Sequence, residues 1–241
     1  MTDAATRPPP DPKSLRSIYA FGIFSMALID VFVFLIPVYA GKSLGMSDGE
    51  IGTLVGARSI VSLLLSIHGG ALMDRFGVRR VTLFFIGIVV MCGPIFAAST
   101  TFWALLVLQA VSGFAISMGW SGAQTLIARI SEGDAEYIGR FSSFARIGTT
   151  TAPVIAGFLF DLGGAPLAYG FGTFWAVLAF AVLWFAPEPE IEADGDGSGE
   201  AEKFRLRDIV PRLSDYTASF ALMAIPAVAF TAVAMLVRNS T

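Results

Sequence analysis

The chain has little of the side-chain chemistry on which soluble enzymes depend. It holds one cysteine and one histidine, and 15% of its 241 residues are charged, against about 25% in soluble domains. A single cysteine excludes an internal disulfide, and one Cys with one His excludes a Cys/His metal cluster. A phosphate-binding G-x-x-x-x-G-K-[ST] segment is also missing. We therefore expect no metal, no cofactor and no catalytic centre, and the net charge of −3 gives no reason to expect a nucleic-acid partner.

What the chain has in excess is hydrophobic sequence, at 55% of its residues. A helix needs roughly 20 apolar residues to cross a bilayer core of about 30 Å. The predicted fold class is therefore all-α, a polytopic transmembrane helical bundle whose surroundings are the lipid bilayer. Tyrosines and tryptophans near the span ends are typical of interfacial belts, and Tyr39 and Tyr169 are two of them. The predicted spans are 17–40, 49–71, 80–98, 102–127, 143–162, 166–186 and 216–237.

Basic residues fall on one side of this arrangement. Thirteen of the 16 lysines and arginines lie in the N-terminal tail or in the loops after the second, fourth and sixth spans. Because basic loops of membrane proteins stay in the cytoplasm, we expect a cytoplasmic N-terminus. The expected location is a plasma membrane, with the bacterial inner membrane as the first choice.

The same patterns divide the chain into four parts. Residues 1–16 are polar and Pro-rich and are predicted to form a disordered cytoplasmic tail. A six-helix transmembrane domain is expected over 17–186. An acidic, glycine-containing cytoplasmic linker follows over 187–215, and a seventh transmembrane helix over 216–241.

The loop between the second and third spans carries the most specific pattern. A glycine at its start allows close helix packing, a second glycine allows a tight turn, and the basic residues anchor at the membrane interface. The spacing G-x-x-x-D-R-x-G-x-R-R resembles the loop signature of the major facilitator superfamily of secondary transporters. Its residues here are Gly70, Asp74, Arg75, Gly77, Arg79 and Arg80.

This resemblance implies a gate at the cytoplasmic side. In similar transporters the aspartate at the Asp74 position engages the other half of the protein when that side is closed, and it pairs with a basic residue at the end of the fourth helix. Arg129 is placed to be that residue. The partner in the other half would belong to an eleventh helix, which this chain lacks.

The fifth span resembles the antiporter signature G-x-x-x-G-P-x-x-G-G, with alanine in place of two glycines. Small residues at this spacing favour tight helix contact, and we expect Pro153 to kink the helix. An ordinary membrane helix with a proline and small residues is the alternative interpretation. The motif residues are Gly148, Ala152, Pro153 and Gly157.

The fourth span departs from the family pattern. Where the family often has R-x-x-x-G, with the arginine linked to proton coupling, this chain has Gln109 followed by Gly113. Glutamine forms hydrogen bonds but carries no charge, so the usual coupling role is in doubt. Gln109, Trp120 and Gln124 are candidates for lining a substrate cavity, and helix packing is the alternative role for each.

Two charged residues lie inside predicted spans. Asp30 and Arg58 are expected at similar depth on neighbouring helices, about 15–20 Å from their starts. A charge at the bilayer centre costs about 2.5–3.5 kcal/mol on insertion scales, so such residues pair or face a cavity. We hypothesise that both line a central cavity and interact. Asp30 is then the better proton-carrier candidate, because burial and the arginine act on its protonation in opposite directions. A purely structural ion pair is the alternative.

The six spans and the linker resemble the N-terminal half of a twelve-helix facilitator. The resemblance implies secondary active transport of a small organic solute by alternating access, with proton-coupled export as the favoured mode. The chain then looks like part of a transporter that lacks its C-terminal half, or that a separate partner chain completes. Import by symport or uniport and a non-transporting membrane scaffold are the alternatives. The direction of flux would distinguish import from export. A stable natural protein of this length would favour the scaffold.

Overall fold

The structure is a computed structural model, and it describes residues 10–187, apart from the side chains of residues 66 and 67. Helices make up nearly all of this part, which confirms the predicted all-α class. Predicted features over residues 188–241, the seventh span among them, lie outside the described residues. The helices are α1 Pro12–Val38, continued by a π-helical turn Tyr39–Ser43, then α2 Asp48–Phe76, α3 Val78–Ala98, α4 Phe102–Ile130 and α5 Ala135–Phe185.

The long helix α5 consists of two rods. Its 51 residues would extend about 76 Å, more than twice the bilayer core of about 30 Å. The backbone leaves helical geometry at Gly163 and Gly164, and the φ of 68° at Gly164 favours glycine. We call 135–162 the N-terminal arm and 165–185 the C-terminal arm. They correspond to the fifth and sixth predicted spans.

The chain reverses direction at this break. The N-terminal arm runs parallel to α1, whereas the C-terminal arm runs antiparallel to α3. Because α1 and α3 themselves run in the same direction, the two arms of α5 point in opposite directions. The contacts that fix these directions are Gly22 with Phe141, Phe34 with Gly157, Gly93 with Thr173, Arg79 with Trp184, and Phe32 with Phe96.

All the predicted basic loops of the described part meet at one end of the bundle, which we call the basic end. Here α1, α3 and the N-terminal arm begin, and α2, α4 and the C-terminal arm finish. Lys42 is on the opposite end. The residues at or near the basic end are Lys13, Arg16, Arg75, Arg79, Arg80, Arg129 and Arg140.

Helix length and composition identify an integral membrane protein. Four of the described helices are long and apolar enough to cross a bilayer, and α2 is a fifth if its segments Asp48–Leu65 and His68–Phe76 count as one span. Large hydrophobic side chains stay exposed on their outer faces, Phe158 and Phe174 among them. Such a surface is suited to contact with lipid, because soluble proteins rarely expose large contiguous apolar areas.

Small residues on α4 let its neighbours approach. A Cβ at Gly119 would lie 2.5 Å from Cδ1 of Ile86 on α3, and one at Gly122 would overlap Thr82. Close approach through small residues is how membrane helices gain packing contacts. These contacts place α4 directly against α3.

Two sequence predictions need correction. The helix α1 begins at Pro12, before the predicted boundary at residue 17, because Asp11 accepts hydrogen bonds from Lys13 N and Ser14 N at 3.3 and 2.9 Å as its N-cap. Tyr169 is not interfacial, since it is fully buried and stacks on Phe96 with 5.2 Å between ring centroids.

A capping box stabilises the start of α2. The Ser47 hydroxyl accepts from the Glu50 N–H, and the Glu50 carboxylate accepts from the Ser47 N–H at 2.9 Å. This cap fixes where α2 starts at the opposite end of the bundle.

Candidate functional site

A one-residue turn at Gly77 joins α2 and α3. Its φ of 88° lies in the left-handed region that favours glycine, and its N–H donates to the Met73 carbonyl at 3.0 Å. Because nothing else separates the helices, the charged residues on both sides of the turn are held at the basic end.

Across this end, Asp74 on α2 pairs with Arg129 on α4. The Arg129 Nη2 atom lies 3.8 Å from the Asp74 Oδ1 atom, and the two side chains are 41% and 79% exposed. An exposed ion pair is worth about 0–1 kcal/mol, so stability does not explain this contact. What the pair does is link the last turns of two helices at a surface open to a partner.

Arg79 ties α3 to the end of the C-terminal arm. Its Nη2 atom donates to the carbonyl oxygens of Trp184 and Ala186, at 2.8 Å in each case. The last carbonyls of a helix have no partner within the helix, and a cation near them is also favoured by the helix dipole. α3 and the C-terminal arm are thereby joined at the basic end.

The other two arginines of the motif have different surroundings. The guanidinium carbon of Arg75 lies 5.2 Å from the centroid of the Phe76 ring, in the geometry of a cation–π contact. Arg80 is exposed and lines the mouth of an apolar groove between α3 and the C-terminal arm. The loop therefore uses its three arginines for three separate purposes.

The packing role predicted for Gly70 is wrong for the described residues. A Cβ at Gly70 would meet nothing within 4 Å, whereas a Cβ at its neighbour Gly69 would overlap Met118 of α4. Successive helical residues point about 100° apart, so only one of the two glycines faces α4. Gly70 is exposed on the other face of α2.

In the interior, Asp30 on α1 lies within electrostatic reach of Arg58 and Arg146. Arg58 is 7% exposed, and its backbone packs on α4, where a Cβ at Gly113 would lie 3.0 Å from the Arg58 Cα. The structure therefore brings the two predicted intramembrane charges into one region. It also adds Arg146, which lies near the start of the fifth predicted span.

Further buried polar atoms lie on α4. Gln109 is 1% exposed and Ser112 is fully buried. Neither Gln109 Oε1 and Nε2 nor Ser112 Oγ has a hydrogen-bond partner within residues 10–187, and the same holds for Arg58 Nη1. Gln109 and Ser112 are three residues apart on α4, so they lie on the same side of the helix. Sequence reasoning singled out Gln109 alone, although two polar residues spaced i, i+3 in an apolar span point to a shared face.

The remaining cavity candidates do not join this cluster. Trp120 stacks on Phe141 of the N-terminal arm, with ring centroids 5.5 Å apart and planes at 16°. Gln124 is exposed and lies about 22 Å from Gln109 along α4. The packing interpretation thus fits Trp120, and Gln124 belongs to the surface nearer the basic end.

The fifth-span motif forms the contact between the N-terminal arm and α1. A Cβ at Gly148 would lie 2.9 Å from the Ile23 carbonyl carbon, and one at Gly157 would lie 3.2 Å from the Phe34 ring. Ala152 and Pro153 are buried between these points. The backbone stays helical at Pro153, and the break comes ten residues later, at Gly163 and Gly164.

The described residues hold no group of three or more His, Cys, Asp or Glu side chains placed to bind a metal ion. Their charges lie at the basic end, at the opposite end with Lys42 and Glu50, and in the cluster around Asp30. A gate-like ion pair at one end and a buried charge cluster in the interior are the two features that a function must use.

Comparison with known proteins identifies the family. The family model of the Major Facilitator Superfamily matches residues 18–239. The quinolone resistance protein NorA of Staphylococcus aureus is 28% identical over 163 residues, which cover 66% of this chain and 42% of NorA. An uncharacterized MFS-type transporter of Methanocaldococcus jannaschii is 30% identical over 159 residues, covering 61% and 39%. The chain thus spans less than half the length of these curated relatives. It belongs to the Major Facilitator Superfamily, a family of transporters.

Proposed function

We propose that this chain supplies the N-terminal part of a secondary transporter that exports a small organic solute in exchange for protons. The observation that carries the proposal is the Asp74–Arg129 pair, which links α2 and α4 at the basic end. A contact of so little intrinsic stability is suited to forming and breaking during a transport cycle. The similarity to a quinolone resistance protein supports export of a small organic compound.

In this proposal the basic end faces the cytoplasm of a bacterial inner membrane. The residues before α1 form a tail, α1 to the C-terminal arm form the six-helix domain, 187–215 form a linker, and 216–241 form the first helix of a second domain. The rest of that second domain comes from further sequence or from a separate partner chain. Alternating access then exposes a cavity between the two domains to each side of the membrane in turn.

Asp30 is the proposed proton carrier, and Arg58 and Arg146 are the cations within its electrostatic reach. A purely structural ion pair needs close, hydrogen-bonded geometry to offset the cost of burying two charges. The Arg58 Nη1 atom is buried without a hydrogen-bond partner in the described residues, and this argues against the structural alternative. A substrate or a change of domain contacts would satisfy that donor in another state of the cycle.

Transport by the completed protein tests the proposal. Inside-out vesicles would be prepared from cells that express the chain together with the sequence or partner chain that completes it, with a fluorescent quinolone as the probe. Export predicts uptake into these vesicles when their interior is acidified. Uptake that requires the opposite orientation would identify an importer, and no flux in either orientation would favour a scaffold.

Three variants separate the roles. Asp74→Asn should slow transport at least tenfold while changing stability by less than about 1 kcal/mol. Asp30→Asn should abolish acceleration by the proton gradient while leaving gradient-independent exchange in place. Asp161→Asn, which removes an exposed carboxylate near the opposite end, is the matched control and should transport normally. Unchanged proton-driven uptake in Asp30→Asn would exclude Asp30 as the carrier.

A further inference from the structure

An open groove runs along the outside of the bundle between α3 and the C-terminal arm. Its volume is about 550 Å³, within the usual range of ligand sites, about 300–1,000 Å³. The walls are apolar, and two of the large side chains that line it, Phe84 and Met91, are 65% and 62% exposed. No side chain of the described residues fills this space, which faces the direction that lipid occupies.

A missing side chain on α3 deepens the groove. Gly87 lies in its floor, where a Cβ would come 3.8 Å from the Phe180 ring. Phe180 stacks on Trp184, with ring centroids 5.7 Å apart and planes at 16°, and the two rings form the opposite wall. The groove is therefore open and apolar, with a flat aromatic side.

The groove has the length of one membrane leaflet. It starts at Arg80 and finishes at Met91, a rise of about 16 Å along a helix, and half of a bilayer core is about 15 Å. A transmembrane helix docked here would need contact across the whole membrane. An acyl chain, by contrast, starts at the interface and finishes at the midplane.

The positive charge of Arg80 at the mouth of the groove favours a lipid with an anionic headgroup. Arg80 is the cation that lines the groove, and it lies at the basic end beside Trp184. Its neighbour Arg79 donates to the carbonyls of Trp184 and Ala186, so the basic pair is divided between holding the helices together and facing the groove. Arginine binds phosphate through paired N–H donors, and tryptophan favours the headgroup level.

From these observations we infer that the groove between α3 and the C-terminal arm is a binding site for an anionic phospholipid. One acyl chain lies along Phe84, Gly87 and Met91, and the phosphate of the headgroup is bound by Arg80. Basic pockets between membrane helices bind anionic lipid headgroups by the same chemistry. The lipid would also cover the Arg79 contact, which joins the third and sixth rods.

Fluorescence quenching in nanodiscs tests this site on the chain itself. The 241-residue chain would be placed in phosphatidylcholine nanodiscs that contain a small fraction of phosphatidylglycerol with brominated acyl chains. Four tryptophans contribute to the signal, and subtraction of a Trp184→Phe sample isolates the reporter in the groove. Trp184 should be quenched by brominated phosphatidylglycerol at about fivefold lower content than by brominated phosphatidylcholine, the preference expected from one basic residue near the surface.

Two variants and a control decide the outcome. Arg80→Gln should abolish the preference for the anionic lipid, and Arg75→Gln, an exposed arginine of the same loop that does not line the groove, should keep it. Gly87→Leu should reduce quenching by both lipids, since its side chain fills the acyl channel. Equal losses in the two arginine variants would mean that diffuse surface charge attracts the lipid, and this would overturn the site. An unchanged preference in Arg80→Gln would overturn it as well. Arg80 is exposed, so its variant gives an answer even if Gly87→Leu does not fold.

Discussion

Gly148 on the N-terminal arm faces the backbone carbonyl of Ile23 on α1 so closely that a methyl group does not fit between them. A Cβ at Gly148 would lie 2.9 Å from the Ile23 carbonyl carbon. That atom is backbone, so it cannot move aside as the end of a flexible side chain could. The two helices therefore cannot relax locally, and the contact sets the distance between the first and fifth rods.

Gly148→Ala should destabilise the protein by about 1–3 kcal/mol, because overpacking a tight contact forces the backbone to shift. Thermal unfolding of the purified chain in detergent measures this. Gly170→Ala is the control, since a Cβ there meets nothing within 4 Å, and it should be neutral or stabilise by up to about 1 kcal/mol. Equal stability of the two variants would contradict the close contact with Ile23.

Arg79→Gln should loosen the end of the C-terminal arm. Two hydrogen bonds from a charged donor would be lost, at a cost of about 1–2 kcal/mol after allowing for partial exposure. Hydrogen exchange of the amides in the last turn of α5 should increase, with little change in α1. Arg75→Gln, which removes only the contact with Phe76, should leave exchange in that turn unaltered. If both variants exchange alike, the contact between α3 and α5 does not protect this end.

Gln109→Met should stabilise the protein by about 1–3 kcal/mol, because both polar atoms of the amide are buried without a partner in the described residues and leaving such groups unpaired costs that much. Methionine has a similar shape and no such requirement. The same change at Gln124, which is exposed, should have little effect on the melting temperature. A lower melting temperature in Gln109→Met would mean that the amide is bonded after all, for example to internal water.

The N-cap of α1 should make the chain sensitive to acid. Hydrogen bonds from Ser14 and from the backbone N–H of Lys13 hold the pKa of the Asp11 carboxyl below its usual range. A carboxyl with a lowered pKa in the folded state stabilises the fold fully above its unfolded pKa and loses this contribution as the pH falls through the folded one. Asp11→Asn keeps a capping side chain without the titration. The stability difference between wild type and Asp11→Asn should therefore shrink on acidification, and a difference that stays constant with pH would contradict the cap.

Hydropathy predicted the six described rods because lipid imposes one simple requirement, about 20 apolar residues for each crossing. The distribution of basic residues predicted which loops share a side, and those within residues 10–187 meet at one end of the bundle. The glycines of the fifth-span motif lie in the contact with α1. These features depend on local composition or on spacing along one helix, so a sequence contains them directly.

What sequence reasoning missed depends on which face of a helix meets which neighbour. Gly69 and Gly70 are adjacent and identical in type, and only the position of Met118 makes one of them a packing residue. Tyr169 lies near a span end, as an interfacial tyrosine would, but Phe96 and Phe32 enclose it. In each case the deciding contact is with a residue far away in the chain.

The reversal at Gly163 and Gly164 also constrains how the chain is made. Two residues separate the end of the N-terminal arm from the start of the C-terminal arm, and so short a connection leaves no chain to extend into water at the far side of the membrane. We therefore expect the two arms to enter the bilayer as one folded-back pair.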